Sequence, residues 1–275
     1  MATVGVCNIC GQHGALTADH VPPKGASGLS AAELETLVRF VAVDPQRPPS
    51  KFHQNGVKFR TLCGDCNNGR LGGQYDPSLI EISKDVSRIV RMNTSGVIAF
   101  PPEIKIRTRV HRVARAVVGH LLAVLPKAHR GKDLVHGHLA DAMREYFLDT
   151  SKPLPPQMSI YYWIYPSELH VVARGFGMID IRSPQSCIVG DMIKFFPLGY
   201  WVTWDQPSSV QIRLPELISR RSWGIDDEEE ISIRLHDVPP PGWPERPGDW
   251  GMNLFHEEMT FVAYPRKRRR KRTGS

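Results

Sequence analysis

Four of the five cysteines fall into two C-x2-C pairs, Cys7 with Cys10 and Cys63 with Cys66, in the runs CNICG and CGDCN. Two thiolates on one tight knuckle reach the same ion, and two knuckles complete the tetrahedral S4 shell that zinc adopts in structural sites. Gly11, after the first pair, and Gly64, inside the second, ease the turns. Four unrelated thiols would not fall into two matching pairs, and neither pair sits in the βαβ setting of a redox dithiol. A closed S4 shell has no open coordination position. This zinc is therefore expected to be structural, and any reaction must use other residues. Cys187 stands alone and is expected to be a buried, inert thiol.

Between the pairs runs Leu16-Thr17-Ala18-Asp19-His20-Val21-Pro22-Pro23-Lys24, and directly after the second pair come Asn67 and Asn68. CxxC, then Asp-His followed by an apolar residue and proline, then LCxxCN, resembles the Cys-containing branch of the HNH endonuclease family over about the first 75 residues. The resemblance implies a zinc-stapled ββα-metal module in residues 7–68. Asp19-His20 would lie at the end of the first hairpin strand, and the second Cys of the second pair would open the helix. It also implies cleavage of nucleic acid, DNA in the first instance, with a divalent metal.

Phosphodiester hydrolysis needs an activated water, neutralised phosphate charge and a stabilised leaving oxygen. A neutral imidazole can take the water's proton near pH 7, which assigns His20 as general base. A carboxylate beside an amide oxygen can hold Mg²⁺ or Mn²⁺, which assigns Asp19 and Asn67 as ligands of the catalytic metal, with Asn68 as the alternative ligand. Spacing favours Asn67. Lys24 and Arg70 are candidate phosphate contacts, each equally readable as a solvated charge. The family's middle Asn position falls on Lys58, with Asn55 available under a shifted register. The stretch between Asp-His and the second Cys pair is long and holds an expected helix at 30–41. A metal-dependent endonuclease is the first reading; a non-catalytic zinc protein that binds nucleic acid is the second.

The elements expected to carry these residues divide the chain into the zinc module at 1–76, a helical region at 77–150, a β-rich part at 151–237 and a Pro/Gly-rich segment with a basic tail at 238–275. Leu79, Ile82, Val86, Ile89 and Val90 recur at helical spacing in 78–92, and Pro77 suits a helix start. Helices are also expected at 103–125 and 133–148. After the SKPLPP linker at 151–156, β-branched and aromatic runs separated by Pro, Gly and Ser indicate strands at 158–165, 170–174, 177–181, 187–196, 200–203 and 210–214. The fold class is α+β, with a mostly antiparallel sheet in the second half. The aromatics of that half are expected in the sheet core. The run VPPPGWPERPGDWG from Val238 is expected to lack regular structure.

The net charge is +7, and the run Arg266 to Arg272 supplies seven positive charges, so the rest of the chain is formally neutral. That tail, including Arg268, Arg269 and Arg270, is a candidate phosphate-binding arm acting through counterion release. A second basic run, Lys105, Arg107, Arg109, Arg112 and Arg115, reads as a solvated face before it reads as a nucleic-acid channel. Asp226 to Glu230 reads as an exposed acidic turn. No apolar run reaches bilayer length, and MATVGVCNIC lacks a basic segment followed by an apolar core. A cytoplasmic location without membrane contact is expected. The oligomeric state is left open, a homodimer included.

Overall fold

The structure, a computed structural model, describes residues 3–27, 31–38, 51–94, 101–124, 137–208, 210, 212–219, 224–246, 251–255 and 259–265. The first two strands are β1 (Thr3–Val6) and β2 (His13–His20), joined through the first cysteine knuckle. Next come β3 (Ala31–Thr36), β4 (Lys51–Gln54) and β5 (Lys58–Cys63). A three-stranded antiparallel sheet has the order β1-β2-β5. A register shift opposite Thr17 and Ala18 leaves Thr61 as the extra residue of β5. Helix α1 (Asp65–Tyr75) has the wide turns of the π form and runs directly into α2 (Asp76–Thr94).

The first part of the helix expected at 103–125 is extended instead. β6 (Glu103–Thr108) pairs with β11 (Glu229–Arg234), and α3 starts only at Val110 and ends at Ala123. Ile104 and Ile106 alternate with charged residues at a period of two, which suits a half-buried strand. The helix expected at 30–41 is also corrected: Ala31–Thr36 is β3, because it joins the large sheet through β13 (Thr260–Pro265). α4 (His138–Leu148) occupies the described part of the third expected helix.

The eight-stranded sheet has the order β4-β3-β13-β8-β9-β10-β7, with β12 (Gly251–Leu254) also on β8. Here β7 is Met158–Ile164, β8 His170–Asp180, β9 Ser183–Phe195 and β10 Leu198–Trp204. Two expected strands, 170–174 and 177–181, are one strand with a bulge at Arg174-Gly175. Gly175 has φ +63° there, and its N–H donates to Asp191 Oδ1. The described part of 210–214 forms no strand; the following Pro215 and Leu217 hydrogen-bond along β7 instead. In the Pro-rich region, Lys194 Nζ donates to the Pro241 and Trp243 carbonyls and pairs with Glu245 at 2.6 Å, fixing that segment to the sheet.

A continuous apolar cluster runs from Ile9, Leu16 and Leu62 through Leu71, Tyr75, Val117 and Leu121 to Phe195, Tyr200 and Ala263. It joins the small sheet, the helices and the large sheet. The last carbonyls of a helix have no partner within it. At the end of α3, Leu122 O accepts from Asn8 Nδ2, Ala123 O from Thr61 Oγ1, and Val124 O from Arg174 Nη1. The knuckle, β5 and the large sheet thus all dock on one helix end. Trp163, Tyr200 and Trp201 are buried, as expected of core aromatics, whereas Cys187 is only half-buried near the end of the β8–β9 hairpin. No helix among the described residues is long and apolar enough to cross a membrane.

His170, enclosed where β8 meets β13, is held down to about 4 by burial. A histidine whose folded pKa lies below its unfolded value contributes full stability above about pH 6.5 and loses it as pH falls towards 4. The loss approaches roughly 3 kcal/mol. We expect His170→Gln to lose about 2 kcal/mol less than wild type between pH 7 and pH 4.5 in urea unfolding. Equal losses would show that His170 does not carry this dependence.

Candidate functional site

The sulfurs of Cys7, Cys10, Cys63 and Cys66 all lie within 4.8 Å of one another. Cys10 Sγ and Cys63 Sγ are 3.7 Å apart. That is far beyond a disulfide bond of about 2.05 Å. It fits the edge of a tetrahedron with Zn–S of about 2.3 Å, which is about 3.8 Å. The first knuckle closes by hydrogen bonds from Cys7 N–H to Gln12 O and from Gly11 N–H to Cys7 O, with Gly11 at φ +73°. Cys63 ends β5, and Cys66 lies in the first turn of α1. A hydrogen bond from Cys66 draws the Cys7 thiol down to about 4, while burial pushes Cys10 up to about 11. Crowded thiols ionise together only against a cation, so these four can hold a metal such as zinc.

Three elements meet beside the knuckles. Asn67, in the first turn of α1, reaches Thr17 on β2, two residues before Asp19. Its Nδ2 donates to Thr17 Oγ1 at 2.8 Å, and Thr17 Oγ1 donates to Leu62 O. Because the amide nitrogen is used in this way, the amide oxygen is left as an acceptor; among the described residues it accepts no hydrogen bond. Asn67 is buried and Asn68 exposed.

Asp19 is also buried, and its Oδ2 lies 3.1 Å from His120 Nδ1. His120 Nε2 lies 2.9 Å from Asp76 Oδ1. A fully enclosed imidazole thus links the end of β2 to the start of α2. Burial alone would lower the His120 pKa, but Asp76 and Asp19 outweigh it and raise it to about 10. Burial raises the Asp19 carboxyl, and His120 opposes that rise. Gly119 lets α3 approach this closely: a Cβ there would sit 2.6 Å from Phe147 Cε2 and 2.7 Å from Leu71 Cδ1.

His20, next along β2, is half-buried. Burial lowers its pKa, and Lys58, its cross-strand partner, lowers it further; the Asp19 charge acts the other way. The ring is therefore neutral at pH 7. Asn55 has φ +64° and is followed by Gly56 at +78°.

Sequence reasoning missed His120 and Asp76. The signal for His120 was a lone histidine in the apolar run VVGHLLA, where a buried imidazole must find polar partners. Asp76 reads as an ordinary acid at a helix start. The structure does not bring Arg70 to this site: its Nη1 donates to Leu148 O. Lys24 is exposed on the loop that follows His20. The second basic run is neutralised. Lys105 pairs with Glu230, Arg107 and Arg109 with Glu228, and Arg112 with Asp226. Arg115 is buried over the Tyr146 ring. Arg268, Arg269 and Arg270 lie outside the described residues.

No family model, curated protein or solved structure matches this chain.

We expect native mass spectrometry of the full chain to show one zinc, and Cys66→Ser to lose it with a fall in unfolding midpoint. Full stability in that variant, or in wild type after exhaustive chelation, would count against a metal-stapled module.

Proposed function

We propose that this protein is a metal-dependent endonuclease of the HNH type, hydrolysing phosphodiester bonds in nucleic acid, DNA in the first instance. The zinc on Cys7, Cys10, Cys63 and Cys66 is structural. Asp19 and Asn67 hold a catalytic Mg²⁺ or Mn²⁺, which supplies a Lewis acid for the phosphate and leaving oxygen. The observation that supports this most is the Asn67–Thr17 hydrogen bond, which ties an amide at the start of α1 to β2 two residues before Asp19.

The chain's own residues then divide the work. Asp19 keeps one oxygen on His120, an arrangement typical of metal-binding carboxylates, whose outer partners fix their orientation. His20, neutral and half-buried, takes a proton from the attacking water. In-line displacement puts the attacking and leaving oxygens on opposite sides of phosphorus.

The same Asp19–His120 contact favours a second reading, in which the carboxylate is purely structural and the module binds nucleic acid without cutting it. The test is nicking of supercoiled plasmid by the zinc-loaded chain with Mg²⁺ or Mn²⁺. We expect His20→Ala to slow cleavage by about 10²–10⁴-fold at an unchanged unfolding midpoint. Wild type that binds DNA and RNA but cuts neither with either metal would favour the second reading.

A further inference from the structure

Beside the loop that follows His20 lies a cleft of about 320 Å³. One wall is the loop Gly25-Ala26-Ser27, and the other is α2, which presents Lys84, Ser87, Arg88 and Arg91. Phe196 closes one end, with the Arg91 guanidinium 5.2 Å from its ring centroid. We propose that this cleft binds the sugar–phosphate backbone of the nucleic acid on one side of the cut. The inference rests on the endonuclease reading and names where its substrate lies.

Lys84, Arg88 and Arg91 follow the i, i+4, i+7 spacing of one helix face, and all three are exposed. At 1.5 Å per residue they extend over about 10 Å, the reach of about three successive phosphates of one strand. No residue lining the cleft is acidic. Asp85 meets Arg88 at 3.4 Å and offsets one of the three charges. On β6 and α3, Lys105, Arg107, Arg109 and Arg112 all pair with acids of the segment 226–230. Ser27 and Ser87 add hydroxyls that can donate to phosphate oxygens. Phe196 with Arg91 offers a flat surface for a base.

The cleft is also fixed relative to the proposed site. The loop packs closely on α2, since a Cβ on Gly25 would lie 2.8 Å from Ile80 Cδ1. α2 begins at Asp76, which holds His120 and through it Asp19. Lys84 is eight residues along, about 12 Å. The opposite wall, Gly25 to Ser27, begins five residues after His20.

The experiment measures binding of a fluorescent 20-base-pair DNA duplex to the full, zinc-loaded chain across salt concentrations. Plasmid cleavage is assayed on the same proteins. The triple variant Lys84→Gln, Arg88→Gln, Arg91→Gln should lower the slope of log K against log salt by about 2 and weaken binding roughly tenfold or more. The control Lys105→Gln, Arg107→Gln, Arg109→Gln should change the slope by less than about 1. If the triple variant does not fold, Lys84→Gln alone carries the test, with an expected change of about 1. Loss of binding in the cleft variant, from a wild type that cuts nothing, would uphold the cleft and sink the nuclease. Slopes equal to wild type, a loss matched by the control, or a loss confined to anionic vesicles or polyglutamate would overturn the cleft.

Discussion

Four sulfurs drawn from two places in the chain set the geometry on which the proposed site depends. Cys7 and Cys10 sit in the turn between β1 and β2, and Cys63 and Cys66 at the passage from β5 into α1. Thiolates at this separation repel unless a cation lies between them, so the cluster and the metal stabilise each other. Once it forms, the start of α1 can lie only against β2. The Asn67–Thr17 contact follows, and Asp19 is left facing inward towards α3.

The interior accepts that carboxylate because polar partners surround it. His120 bridges Asp19 and Asp76, while Asn8, Thr61 and Arg174 satisfy the open carbonyls at the end of the same helix. Arg174 in turn pairs with Asp191 at 3.1 Å inside the large sheet. Removing one member of such a buried set costs about 3–5 kcal/mol, because its partner is left uncompensated. The second half of the chain is thereby linked to the site without supplying a residue to it. The large sheet supports the helix end that places His120, and β3 joins that sheet although its sequence lies between the cysteine pairs.

Local chemistry was legible in the sequence where spacing carried it. The cysteine pairs declared their cluster, and the alternating Ile, Tyr, Trp and Val of β7 to β10 declared a sheet. Partner choice over long separations was not legible. Ala31–Thr36 has the composition of a helix and becomes a strand only because β13 offers it an edge. Glu103–Thr108 reads as the start of a helix until the acidic run on β11 pairs with its basic residues. β13, a short apolar run between a Pro-rich stretch and a run of arginines, carried no such signal. His120 looked like an interruption of an apolar helix; its function as a bridge depends on two acids, 101 and 44 residues away.

The central claim is that Asp19 and Asn67 hold a divalent cation distinct from the zinc. Electron paramagnetic resonance of Mn²⁺ added to the zinc-loaded chain tests it directly. One bound Mn²⁺ should appear per chain, and it should be lost in Asp19→Asn and weakened in Asn67→Ala while the zinc stays in place. Mn²⁺ that remains entirely free with all four cysteines occupied, or that binds unchanged in both variants, would contradict it.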